Sequence, residues 1–127
     1  MAILVKPYAP IPNKILLVSF GYIHGMLTAD YVFNVAKIIP SNIIPNVTLS
    51  GLNPINKNFI ARNYKTQIST IENCIKDIVD ILDEEELTRG IVIGIGCTYG
   101  QHRSVSVVEI IGASMSRLVA IKHRDVR

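Results

Sequence analysis

The stretch Gly90–Ser104, GIVIGIGCTYGQHRS, decides the fold. Its first part, Gly90–Gly96, is apolar and β-branched with no polar face, the pattern of a strand covered on both sides in a parallel sheet. It empties into a glycine-rich turn carrying Cys97, Thr98, Tyr99, Gly100, Gln101, His102, Arg103 and Ser104, and a second apolar run follows. That run predicts a helix over Gln101–Ala113, although Val105, Val107 and Val108 are modest helix formers. Strand, polar turn and helix in this order aim free backbone N–H groups and the positive end of a helix at one small volume. Such a turn suits a phosphate-like anion.

Working outward, Lys14–Phe20 (KILLVSF) predicts a second central strand, ending in the polar turn Gly21–Gly25 (GYIHG). Ala29–Val35 (ADYVFNV) and Arg117–His123 (RLVAIKH) are further candidate strands. Asn42–Asn58 is rich in Asn and Pro and is expected to be mostly loop. Ile68, Ile71, Ile75, Ile78 and Leu82 recur at intervals of three and four, which predicts one amphipathic helix. Asp83 and Glu86 have capping-box spacing for a short turn after it. Together these elements argue an α/β fold, a mainly parallel sheet with flanking helices and an anion-binding turn between a central strand and a helix. Ligands of such sheets bind beyond the carboxyl ends of the strands, where both polar turns lie. If the two strands are neighbours, His24 and His102 face one pocket.

The 127 residues make one domain, residues 1–127, with 1–13 as an extended or flexible lead-in. Lys6 and the prolines around it interrupt any leader-like apolar run, and no stretch approaches the length of a membrane span. Cys74 and Cys97 form no ligand-spaced pair, so a reducing, cytoplasmic setting is expected. The three histidines are scattered, which argues against a metal site, and no cofactor is expected. The net charge of +3 hides an asymmetry: seven of the ten acidic residues fall between Glu72 and Glu86. The rest of the surface is basic and suits an anionic partner, unless it is an ordinary solvated surface. Without Trp and with few aromatics, a surface built mainly on stacked bases is disfavoured.

Within the turn, Arg103 either offers a planar fork for two oxyanion oxygens or makes a purely structural ion pair. His102 either donates to the same anion or caps the turn. Thr98 and Ser104 either donate hydroxyls or cap the helix. Gly96 and Gly100 relieve crowding or permit a positive φ, and Tyr99 either walls a ligand or covers the turn. Cys97, five intervening residues, then Arg103 and Ser104 also reproduces the spacing of cysteine-dependent phosphatases, in which a thiolate attacks phosphorus. Against that alternative, Gly96 stands where such enzymes usually carry a histidine, and Asp30 is the single upstream candidate acid. The turn has neither the lysine of a Walker loop nor a dinucleotide fingerprint.

Four segments, SFGYIHG at Ser19–Gly25, ADYVFNV at Ala29–Val35, SGLN at Ser50–Asn53 and IGCTYGQHRSV at Ile95–Val105, followed by HRD at His123–Asp125, resemble the C-terminal domain of the RapZ family of RNase adapter proteins. The resemblance implies an α/β regulatory domain that binds a phosphorylated sugar, glucosamine-6-phosphate in studied members, at the turn Thr98–Arg103 with His24 nearby. It further implies homo-oligomers and contact with structured RNA through the basic end, here Lys122, His123, Arg124 and Arg127. The sequence departs from the family at Asn34 and Ala36, where F-D-V-R is usual, and at Tyr99, which replaces the second glycine of the turn. It has no counterpart of the N-terminal nucleotide-binding domain of longer relatives, so no nucleotide hydrolysis is expected.

Overall fold

In the computed structural model, which describes residues 8–127, the expected strands and helices form in the expected order. They are β1 (Ile15–Gly21), β2 (Tyr31–Asn34), α1 (Pro54–Asn63), α2 (Lys65–Ile81), α3 (Glu84–Arg89), β3 (Ile91–Cys97), α4 (Arg103–Ser114) and β4 (Val119–His123). Short 3-10 turns at Tyr22–His24 and Val35–Lys37 follow β1 and β2. The four strands form one parallel sheet in the order β2-β3-β1-β4. β1 and β3 are therefore the central pair, buried along their full length, which is why both read as almost wholly apolar, with Ser19 of β1 the one polar side chain before the terminal residues.

Alternate residues of these strands serve two cores. Ile15 and Leu17 of β1, Ile91, Ile93 and Ile95 of β3 and Val119 of β4 pack against Ile60 of α1, Val107, Val108 and Ile111 of α4, and α2. The α2 contribution is Ile68, Ile71, Ile75 and Ile78, the stripe the periodicity predicts. Leu16, Val18, Phe20 and Val92 point the other way and meet Leu27, with Tyr8, Ile11, Tyr22 and Ala29 packed around them. Coil, not helix, covers that second face. The ring of Phe20 lies so close to β3 that a Cβ on Gly96 would sit 2.6 Å from it, so Gly96 relieves crowding as expected.

One element departs from the sequence expectation. Residues 54–58, read as part of a loop, are the first turns of α1. Asn53 caps it by accepting from the Ile55 N–H at 3.0 Å, and Pro54 occupies the first turn, where a missing N–H costs nothing. Its buried residues are Asn56 and Ile60, too few to make a readable apolar stripe. By contrast the capping box of α3 forms as predicted, with Asp83 Oδ1 accepting from the Glu86 N–H at 2.8 Å. Of the expected lead-in, residues 1–7 lie outside the described residues. Tyr8 and Ile11 belong to the second core, and the Asn13 N–H donates to the Thr88 carbonyl at 3.1 Å.

Candidate functional site

β1 and β3 run in register from Ile15 opposite Ile91 to Gly21 opposite Cys97, so their carboxyl ends finish level. From β1 the chain crosses to β2 at one edge of the sheet, and from β3 it crosses to β4 at the other edge. The ends of β1 and β3 are thus the point where the connections diverge, the place where open parallel sheets hold ligands. The turn after β1 is tied to the turn after β3 by the Ile23 N–H, which donates to the Thr98 carbonyl at 3.0 Å. Between them a cleft of about 570 Å³ opens, within the range of small-molecule sites. His24 and His102 both line it, as the neighbouring-strand argument predicts, together with Tyr99, Gln101, Ser50, Thr48 and Arg127. No Asp or Glu is among its lining residues.

The far wall is the segment 46–50, part of the stretch expected to be mostly loop and ending at the first residue of the SGLN motif. Asn56, fully buried on α1, holds it. Its Nδ2 donates to the carbonyls of Asn46, Leu49 and Ser50 at 2.8, 2.9 and 3.2 Å, and its Oδ1 accepts from the Asn46 N–H at 3.1 Å. The wall is then fastened to the start of α4. The Gly51 N–H donates to the Gln101 carbonyl at 2.7 Å, Ser106 Oγ donates to the Gly51 carbonyl at 2.9 Å, and His102 Nε2 lies 3.0 Å from the Val47 carbonyl. Residue 102 precedes the first turn of α4, which receives no side-chain cap. Of the residues at this helix start, His102 lines the cleft, while Arg103, Ser104 and Val105 are buried behind it.

Below the turn sit the residues expected to do chemistry. Cys97 is 2% exposed, and its thiol faces inward: it donates to Ser104 Oγ at 3.1 Å and accepts from the Gly100 N–H at 3.3 Å. Arg103 is also buried. Its guanidinium donates to the Ile39 carbonyl at 2.9 Å and to Thr98 Oγ1 at 3.1 Å, so the fork binds the turn to the segment after β2. Neither residue lines the cleft, nor do Thr98, Gly100 and Ser104. Gly100 has φ +71°, and a Cβ there would lie 2.6 Å from the Gly21 nitrogen, so the turn needs glycine on both counts. Burial pushes the Tyr22 hydroxyl above the ordinary phenol value, and the nearby Cys97 adds to it.

The basic end of the chain divides in two. Arg124 is internal: it donates to the carbonyls of Gly25 at 2.7 Å and of Gly21 and Met26 at 3.3 Å, pairs with Asp125 at 2.9 Å, and lies 5.4 Å from the Phe20 ring centre. Asp125 in turn accepts from the Gly21 N–H at 2.8 Å. His123 is held between Ser19 and Glu109, at 2.6 Å from Ser19 Oγ and 3.0 Å from Glu109 Oε2. The Glu109 carboxylate, which can only accept, receives its hydrogen bond from Nε2–H. Lys122 and Arg127 are the exposed pair. The Lys122 ammonium lies 5.9 Å from the Tyr8 ring centre, and the Arg127 N–H donates to Gln101 Oε1 at 3.1 Å, which brings its side chain to the cleft.

Among the described residues no His, Cys, Asp and Glu gather in threes as a metal site requires, and no helix is long and apolar enough to cross a membrane. The family model for the RapZ C-terminal domain matches residues 13–127. The chain is 32% identical over 116 residues to a nucleotide-binding protein of Oceanobacillus iheyensis, covering 86% of this chain and 39% of that one. It is 33% identical over 116 residues to a nucleotide-binding protein of Geobacter metallireducens, with 86% and 40% covered. A nucleotide-binding protein of Staphylococcus aureus is 33% identical over 119 residues, with 84% and 38% covered. The chain thus spans about two fifths of the length of these curated relatives. With the strand-end turn, the cleft and the sequence match coinciding over nearly all of its length, this chain belongs to the RapZ C-terminal domain family.

Proposed function

We propose that this domain is a regulatory binding module that holds a phosphorylated small molecule, of hexosamine phosphate type, in the cleft between the β1 and β3 turns. The observation that carries the reading is a cleft at the uncapped start of α4 that is lined by His24, His102 and Arg127 and by no Asp or Glu. Helix N-termini attract anions, and the absence of a lining carboxylate leaves nothing to repel one. Binding without turnover is favoured over Cys97 chemistry because the sulfur lies beneath the turn, away from the cleft. Arg103 supports the site from behind by fixing the Thr98 hydroxyl. Structured RNA and self-association are the further partners the family suggests. With His123 and Arg124 engaged internally, RNA contact would fall to Lys122 and Arg127, so the small anion is the better-supported ligand.

Calorimetric titration with glucosamine-6-phosphate tests this. Arg127→Ala and His102→Ala are each expected to weaken binding about tenfold, the scale of one charge-assisted contact. Equal affinity in the parent and both variants, or no binding at millimolar ligand, would refute it.

A further inference from the structure

Tyr99 is a large ring that the fold does not use. Its backbone is clamped: the Thr98 carbonyl before it accepts from Ile23, and a Cβ on Gly21 would lie 2.3 Å from the Tyr99 carbonyl carbon. Yet its side chain is 58% exposed, joins neither core and has no hydrogen-bond partner among the described residues. A ring that merely covered the turn would be packed against it. Instead it stands on the cleft, where Ile23 and Val47 are also largely exposed. Three exposed apolar groups therefore share one concavity with Arg127 and two imidazoles, and its volume of about 570 Å³ is much more than a phosphate group fills. Cations answer the anion; the apolar wall answers whatever the anion is attached to.

We propose that Tyr99 is a stacking platform for the non-phosphate part of the ligand, so that the cleft selects phosphate monoesters bearing a ring over acyclic ones. The inference rests on the anion site proposed above and adds the ligand's second half to it. A sugar ring offers a C–H face and an aromatic ring a π face, and either lies flat on a phenol ring. Tyr99 is two residues from Gln101 and three from His102, so a phosphate at the start of α4 leaves its ester group beside the ring. The residue acts on selectivity, not on anion capture.

Four probes separate the two halves: inorganic phosphate, glycerol 3-phosphate, glucosamine-6-phosphate and phenyl phosphate, each titrated into the full chain and into Tyr99→Ala and Tyr99→Phe. In the parent, ring esters are expected to bind about tenfold more tightly than glycerol 3-phosphate. Tyr99→Ala is expected to erase that margin and leave inorganic phosphate unchanged, whereas Tyr99→Phe keeps it. The order of the glucosamine and phenyl esters tells which ring the platform prefers. A margin that survives Tyr99→Ala, or an equal loss for inorganic phosphate, overturns the platform and leaves the anion site standing. Failure of every probe to bind the parent overturns the anion site itself.

Discussion

Asp at position 56 would keep the shape of Asn and remove both of its donor hydrogens. In the folded chain those hydrogens serve the carbonyls of Asn46, Leu49 and Ser50 from a side chain with no solvent exposure. The aspartate would retain the bond from the Asn46 N–H and turn a carboxylate oxygen toward three carbonyl oxygens. A neutral hydrogen bond is worth about 0.5–1.5 kcal/mol net, and a buried group left unsatisfied costs about 1–3 kcal/mol. Two hydrogens shared among three acceptors give a loss of about 3–5 kcal/mol, of the same order as the roughly 5–15 kcal/mol that holds a whole domain together. With a urea slope of about 1–3 kcal/mol/M, the Asn56→Asp midpoint at pH 7 falls by about 1–5 M. Protonating the new carboxyl restores one donor, and burial beside carbonyl oxygens raises its pKa, so the deficit narrows as pH falls from that raised value toward the unfolded aspartate value of about 3.9. Asn56→Ala, which adds no charge, is the control and shows no such recovery. A midpoint at pH 7 within about 0.3 M of the parent, with ligand affinity intact, would refute the claim that this amide holds the far wall of the cleft.

Three other outcomes follow from geometry already described. Thiol titration of the native protein is expected to find Cys74 reactive and Cys97 silent until denaturant is added, because the first is exposed and the second buried; two fast thiols would show that the turn opens. Burial raises the Tyr8 and Tyr22 phenols above 10.0, so the folded state holds these protons more tightly than the unfolded chain does. Their contribution is complete below about pH 10 and is lost as pH rises through the folded values, so denaturant midpoints should drop there, less steeply in Tyr22→Phe; identical profiles for the two proteins would refute this. Arg124→Met is expected to cost about 2–4 kcal/mol, because it strips three carbonyls of their donor and leaves Asp125 half-paired; a thermal melt unchanged from the parent would contradict it.

The central strands were legible because a strand covered on both faces is almost wholly apolar: Gly90–Gly96 has no polar side chain, and within β1 the buried Ser19 is the one exception, satisfied by His123. The α2 stripe was legible for the complementary reason: four isoleucines on one face have a single geometric explanation. α1 was not, because a helix with two buried positions leaves no period, and the Asn53–Pro54 cap was indistinguishable from a loop of the same residues. At the site, strand adjacency correctly carried His24 and His102 into one cleft. What no local pattern carries is who a long side chain meets. Arg103 and Arg124 find backbone carbonyls supplied by segments 64 and about 100 positions away. Asn56 likewise gives no sign in sequence that three carbonyls of an upstream loop converge on its amide.

The placement of β1 at the centre of the sheet has a consequence for how the domain comes into being. Among the described residues β1 is the earliest strand of the sheet, yet its partners on both sides are the third and the fourth, with Ser19 and His123 separated by 104 residues. Until those partners emerge, KILLVSF is an unpaired segment, apolar but for Lys14 and Ser19, with both edges open, the kind of species that associates wrongly. Closing so long a loop before any reward from pairing slows the search, so folding is expected in the millisecond-to-second regime of non-local topologies. The same delay governs the cleft, since Asp125 reaches back to Gly21 and Arg127 to Gln101. A nascent chain would own a nearly complete helical layer well before it owned a binding site.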